Sequence, residues 1–286
     1  MARTALKSRR GGAGELDIRP IAGALGAEIS GIDLTEADDR LFEAVYRAFV
    51  AHQVIIIRDQ KLTTGQYLAF ARRWGDIKIY PFMKGLASHP EVLEILKSES
   101  DSYAFGNAWH SDGSFDAVPP KATMLYALEL PPAGGDTLFA SGYAAYDTLS
   151  PGLREMLGRL RAIYVGEGQR AQWKGLSVMQ RNTEAAEQVG AVHPIIRTHP
   201  DAGRKALYFS SHIVGLEGLH DAESAPILGY LRKHAIRPEF TCRLTWQPGS
   251  LAIWDNRCTQ HYAIDDYAGH RRRMHRINIE AEQAPY

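Results

Sequence analysis

Cysteine is nearly absent: Cys242 and Cys258 are the only two in 286 residues. Two thiols supply neither a disulfide framework nor a four-thiolate zinc site, so a reducing, cytoplasmic setting is the expectation. Net charge is absent as well, with Lys+Arg and Asp+Glu at 33 each. No long-range field then gathers nucleic acid or an anionic membrane. Long apolar runs are missing too; Val54-Ile55-Ile56-Ile57 is far short of the roughly 20 residues needed to cross a bilayer. Neither nucleic acid nor membrane is an expected partner. No repeat of about 20 to 50 residues and no low-complexity tract divides the chain. The opening Met1 to Arg10 is basic but reaches Gly11-Gly12-Ala13-Gly14 without an apolar core. Residues 1–15 therefore read as a basic, flexible tail, and 16–286 as a single domain.

What is present is enough apolar material, 45% of residues, to fill a large core. Thr35 is the expected cap of a helix carrying Leu41, Phe42, Val45 and Phe49 on one face. The buried strand Val54 to Ile57 follows. A second helix from Thr63 places Tyr67, Leu68, Ala71 and Trp74 on one side, with Gly75 at its expected C-terminal cap. Beyond it the pattern is mostly short strands, from Val92–Leu96 through Thr123–Leu130 and Leu251–Trp254 to Met274–Ile279. Helices interrupt them at Ser150-Pro151 and after Asp221. The fold class expected is mainly β with peripheral helices, a sandwich or barrel. Residues 167–190 are polar and long for a loop, which suggests a mobile lid or an insertion.

The sharpest motif is Trp109-His110-Ser111-Asp112-Gly113. On an extended backbone His110 and Asp112 point to one face, about 6 to 7 Å apart at Cα. His261, in the segment from Trp254 to Tyr262, is the candidate third ligand. Two imidazoles and one carboxylate, leaving three positions open, form the site of non-haem Fe(II) oxygenases. A bare His-x-Asp also arises by chance, and His193 and His199, each followed by proline, read as structural. Arg272, Met274 and Arg276 share one face of a strand. By itself that is a basic edge discouraging sheet aggregation; near a candidate ligand it suggests capture of carboxylates or similar anions.

Four blocks together make the chain resemble the taurine dioxygenase family of Fe(II)/2-oxoglutarate-dependent oxygenases, which includes alkylsulfatases and aryloxyalkanoate dioxygenases. They are Trp109-His110-Ser111-Asp112, Gly134-Gly135-Asp136-Thr137, Trp254-Asp255-Asn256-Arg257 through Thr259-Gln260-His261, and Arg272 to Arg276. The likeness runs from about Ile18 to Ile279. It implies a double-stranded β-helix, or jelly roll, with Fe(II) held by His110, Asp112 and His261. It also implies that Thr137 and Arg272 hold the distal carboxylate of 2-oxoglutarate and that Arg276 holds the substrate's anionic end. Trp254 matches an aromatic residue near the iron, and reads equally well as a core tryptophan. Oxygen is the co-substrate implied, hydroxylation coupled to decarboxylation of the oxo acid is the implied reaction, and a dimer or tetramer is the common assembly of such enzymes.

The resemblance stops at the substrate. The taurine enzymes add a histidine, a tyrosine and an asparagine where this chain has Tyr80, Met83 and Gly106. Losing polar partners and gaining apolar bulk disfavours a small, very polar amine such as taurine. Tyr80, Phe82 and Met83 instead suggest apolar walls. The expected substrate is a small anion, a carboxylate, sulfonate or sulfate ester with a hydrophobic portion, and its hydroxylated product can fall apart. A zinc-dependent hydrolase using the same three ligands and a non-catalytic jelly-roll binding protein are the alternatives.

Overall fold

The structure, a computed structural model, describes residues 16–167, 179, 182 and 188–286. The tail expected over 1–15 lies outside the described residues, as does the interior of the lid expected over 167–190, Met179 and Asn182 apart. In chain order the elements are β1 (Asp17–Pro20), β2 (Ala27–Ser30), α1 (Asp39–His52), β3 (Val54–Ile57), α2 (Thr64–Arg72), β4 (Ile77–Lys78), β5 (Leu93–Lys97), β6 (Ala122–Glu129), β7 (Thr137–Ser141), α3 (Gly142–Asp147), α4 (Pro151–Leu157), β8 (Arg161–Glu167), β9 (Gln188–Pro194), β10 (Ile196–Thr198), β11 (Lys205–Leu207), β12 (Ile213–Leu216), α5 (Asp221–His234), β13 (Thr241–Leu244), β14 (Leu251–Asp255), β15 (Thr259–Ala263) and β16 (Arg272–Ile279).

The main sheet runs β1-β2-β3-β14-β6-β16-β4, and β5 shares the outer edge of β16 with β4. Its strands alternate strictly, because successive side chains of a strand point to opposite faces. Ile55 and Ile57, Met124 and Tyr126, Leu251 and Ile253, and Ile277 and Ile279 form one core with α1 and α2. Val54 and Ile56, Leu125 and Ala127, Ala252 and Trp254, and Met274 face the other way, onto Phe139 of β7 and Leu244 of β13. Burying each such side chain contributes roughly 1.5–3 kcal/mol. Smaller sheets, β13-β7-β15 and β12-β8-β9, build the second layer. The face of β16 that carries Arg272, Met274 and Arg276 is therefore the inner one. The basic-edge reading of these residues fails, since all three are at most 6% exposed.

Helix ends follow local chemistry. Thr63 and Gln66 form the capping box that starts α2. The cap of α1 is Asp38 rather than Thr35; Asp38 accepts from Leu41 N at 2.7 Å, whereas Thr35 Oγ1 donates to Asp33. Gly75 lies beyond the end of α2, whose cap residue is Arg73. The strands β1, β2, β4, β9, β12 and β15 and helix α3 are additions to the sequence reading, all of them seven residues or shorter. Among the described residues no helix is long and apolar enough to cross a membrane.

Candidate active site

His110 and His261 are far apart in sequence but directly paired in space. His110 N donates to His261 O at 3.0 Å and His261 N to His110 O at 2.8 Å. A mutually bonded antiparallel pair puts both side chains on one face, and the ring centroids are 4.1 Å apart. Ser111 Oγ ties the next residue to Asn256 O. At Gly113 the chain turns away with φ +55°, where a Cβ would fall 2.6 Å from Pro120 Cδ, so only glycine fits. Asp112 is left facing the imidazoles, its Oδ1 lying 3.4 Å from His110 Nε2 and 3.7 Å from His261 Nε2. One ligand atom from each of the three lies within 4.8 Å of the others.

Electrostatics prepares these groups as donors to a cation. Burial pushes the Asp112 pKa up, but Arg276 and the two imidazoles outweigh it and hold the carboxyl well below its usual range. Burial, with neighbouring His110 and Arg276, holds His261 well below the usual imidazole range, so it is neutral at pH 7. His110 Nδ1 lies 2.6 Å from Ala108 O. That contact requires the proton on Nδ1 and turns Nε2 toward Asp112. Two converging imidazole Nε2 atoms and an ionised carboxylate fit a divalent transition metal.

A cleft beside this triad is lined by His110, His261, Trp254, Thr137, Arg272 and Arg276, among others. Trp246 Nε1 donates to Thr137 Oγ1 at 3.0 Å; the indole cannot accept, so the Thr137 hydroxyl proton is available to an anion. Arg272 is buried, its pKa drawn down by that burial. Its Nε has no hydrogen-bond partner among the described residues. A buried guanidinium without a paired carboxylate is costly, and a bound carboxylate removes the cost. The cradle fits an oxo acid's distal carboxylate.

Arg276 also lines a second cleft bordering the triad, together with Tyr80, Phe82, Phe105, Phe115 and His212. Its Nη2 is 2.8 Å from Asp112 Oδ1, and its guanidinium carbon lies 5.3 Å from the Tyr80 ring centroid. Tyr80 meets Phe82 and Phe105 edge-on, at 5.7 and 6.1 Å between centroids. Met83 is not among these walls. It is buried and lines an adjoining small cleft that shares Tyr80 and Arg276 with the first and also holds Lys78, Pro90 and Asn278. Gly106 borders both main clefts. Sequence reasoning missed Phe105, Phe115 and His212; the two phenylalanines flank the Trp109–Gly113 motif within five residues, the one signal available. It also missed Thr123 and Asn256, which sit behind Asp112.

Trp254, Asp255, Asn256 and Arg257 divide their work by side. Trp254 and Asn256 face the triad; the Trp254 ring centroid is 4.8 Å from that of His261. Asp255 and Arg257 face away and join His199, with His199 Nε2 2.9 Å from Asp255 Oδ2. His193 also proves structural, its Nε2 2.9 Å from Asp116 O.

A family model described as Taurine catabolism dioxygenase TauD, TfdA family matches residues 17–278. The chain belongs to this family. Within the TauD, TfdA family it is 34% identical to an alpha-ketoglutarate-dependent sulfate ester dioxygenase of Pseudomonas putida, over 94% of this chain and 90% of the relative. It is 31% identical to an (S)-phenoxypropionate/alpha-ketoglutarate-dioxygenase of Sphingobium herbicidovorans, over 86% and 88% of the two. A crystal structure of a taurine dioxygenase from Burkholderia xenovorans superposes with a TM-score of 0.80 at 31% identity, covering 94% of this chain and 92% of that one.

Proposed function

We propose that this chain is an Fe(II)/2-oxoglutarate-dependent dioxygenase that hydroxylates a C–H bond of a small organic anion with an alkyl or aryl body. The observation that carries the reading is two buried guanidiniums, Arg272 and Arg276, in adjoining clefts that border a His-Asp-His triad. The two-layered sheet is read as a double-stranded β-helix. His110, Asp112 and His261 hold the iron, and Thr137 with Arg272 holds the far end of the oxo acid. Iron, 2-oxoglutarate and oxygen supply the oxidising power, yielding succinate, carbon dioxide and a hydroxylated carbon. Arg276 captures the substrate's anionic group and so sets which carbon lies next to the triad. Tyr80, Phe82, Phe105 and Phe115 exclude water and accept the apolar body. When the hydroxylated carbon also bears a sulfate ester or ether oxygen, the product collapses and the molecule splits. Taurine offers nothing to these aromatic walls and is a poor fit. The sulfate ester and phenoxypropionate relatives take names from anions of the kind these walls suit.

The two buried, unpaired cysteines favour a cytoplasmic setting, and assembly as a dimer or tetramer follows the family's habit. The deciding experiment screens sulfate esters, sulfonates and aryloxy or alkyl carboxylates for substrate-stimulated succinate release. The expected result is release that requires Fe(II), oxygen and 2-oxoglutarate together. Substrate cleavage that proceeds without oxygen and 2-oxoglutarate would establish a hydrolase instead.

A further inference from the structure

Directly behind Asp112 lies a chain of hydrogen bonds whose direction is fixed. The indole N–H of Trp254 can only donate, and it donates to Asn256 Oδ1 at 3.1 Å. The backbone N–H of Asp112 points at the same oxygen, at 3.4 Å. With its amide oxygen turned that way, Asn256 donates from Nδ2 to Thr123 Oγ1 at 2.8 Å. The Thr123 oxygen is then an acceptor, and its own proton goes to Asp112 Oδ2 at 2.7 Å. The competing acceptor, Asn278 Oδ1, is farther at 3.4 Å and already accepts from Arg276 Nε at 3.0 Å. Thr123 is fully buried and Asn256 is 1% exposed, so these bonds lie in a low-dielectric interior where they are strong.

We propose that Thr123, oriented by Asn256, reserves Oδ2 of Asp112 and leaves Oδ1 as the single oxygen offered to the metal. The proposal rests on the metal reading of the triad. Oδ1 is the oxygen that faces both imidazole Nε2 atoms, at 3.4 and 3.7 Å, and Arg276 Nη2, at 2.8 Å, while Oδ2 is turned back to the hydroxyl. A carboxylate free to rotate presents both oxygens and takes up a coordination position that the oxo acid or oxygen needs; the three-ligand site works only while its other positions stay open. Thr123 and Asn256 are positioning residues: they act through Asp112 and touch neither substrate nor co-substrate.

The test measures Co(II) binding to the full chain by titration calorimetry, alongside the visible Co(II) spectrum, which reports coordination number. Thr123→Val removes the hydroxyl at nearly constant shape. Its expected effect is about ten- to a hundredfold weaker binding with an altered spectrum, while Thr123→Ser, which keeps the hydroxyl, restores both. Asn256→Ala leaves the hydroxyl without its orienting partner and shifts both readouts the same way by less. Wild-type affinity and spectrum in folded Thr123→Val overturn the proposal, as does a loss in Thr123→Ser equal to that in Thr123→Val. If Thr123→Val does not fold, an unchanged Co(II) spectrum in Asn256→Ala overturns it equally. Asp112→Ala separates the two levels: wild-type Co(II) affinity there removes the metal reading itself, whereas loss there beside a silent Thr123→Val sinks the positioning role alone.

Discussion

Two clusters of histidine and aspartate sit on either side of the segment from Trp254 to His261, and each brings three metal-capable groups within reach of one another. One is His110, Asp112 and His261; the other is His199, Asp255 and Cys258. Their inventories are alike and their situations are opposite. In the second, every acceptor is used. Asp255 Oδ1 accepts from Arg257 N and Nε at 2.9 and 2.8 Å, and Oδ2 from Arg257 Nη2 at 2.7 Å and His199 Nε2 at 2.9 Å. His199 Nδ1 accepts from the backbone of Asp201 and Ala202, so no lone pair of that imidazole is left. Burial and the neighbouring Asp255 hold the Cys258 thiol well above its usual range, as the neutral thiol. Arg257 reaches on to Asp201, which accepts from Tyr46 of α1. This cluster is a lock between helix and sheet. In the first, both imidazole Nε2 atoms converge with Oδ1 beside the clefts, and Oδ1 is met by Arg276 Nη2 at 2.8 Å from the cleft side. What separates a candidate metal site from a structural knot is whether the protein has already satisfied the donors.

That contrast makes Asp112 and Asp255 the two residues to exchange fates. Asp112→Ala is expected to lower iron-dependent succinate production by a factor of at least about a thousand, with the far-ultraviolet circular dichroism spectrum unchanged. Activity at wild-type level would take Asp112 off the metal. Asp255→Ala is expected to do the converse. It strands a buried guanidinium and an imidazole, which costs about 3–5 kcal/mol, read as a lower urea midpoint, while the folded fraction keeps its metal affinity. A selective loss of metal binding at unchanged stability in that variant would erase the distinction between the clusters.

The two guanidiniums beside the first cluster offer a smaller, sharper split. Arg276→Ala should raise KM for the primary substrate by about ten- to a hundredfold, as expected for a charge-assisted contact, and that for 2-oxoglutarate far less. Arg272→Ala should show the opposite pattern; the same pattern in both would mean that the two anion sites are not separate.

The smallest effect separates the clusters by pH in the metal-stripped protein. His261 has a depressed pKa, so it stays neutral when folded while the unfolded imidazole takes up a proton below about pH 6.5. Stability therefore falls as pH drops from about 6.5, by up to about 1.4 kcal/mol per unit. Asp112 and Asp255 are also depressed; they stay ionised when folded, and their contribution is lost only as pH falls below about 4. His193 and His275 are also held low, and Asp201 is also depressed, so His261→Gln should lessen the slope of the upper window and Asp255→Asn that of the lower one, as read from urea midpoints between pH 7 and 3. An upper window as steep in His261→Gln as in the wild type would show that His261 is not held neutral.

Much of this was legible along the chain. The unbroken apolar runs Val54–Ile57 and Leu251–Trp254 dictate strands buried on both faces, and the Thr63–Gln66 pair dictates a helix start, because these depend on neighbours within a few residues. His110 and Asp112 announced themselves by spacing, and Arg272 and Arg276 by sharing a strand face. The lone pattern could not say which face was inner, so a basic edge and an anion cradle looked alike until β5, β4 and β6 were seen to flank β16. Only the tertiary structure set His261 opposite His110 through two backbone hydrogen bonds, put Phe105, Phe115 and His212 around Arg276, set Met83 in an adjoining cleft that shares Tyr80 and Arg276, and spent His199 on Asp255. Periodicity and capping are local and survive in one dimension; whether a polar atom is satisfied depends on partners a hundred or more residues away, and that is settled only when the sheets close over one another.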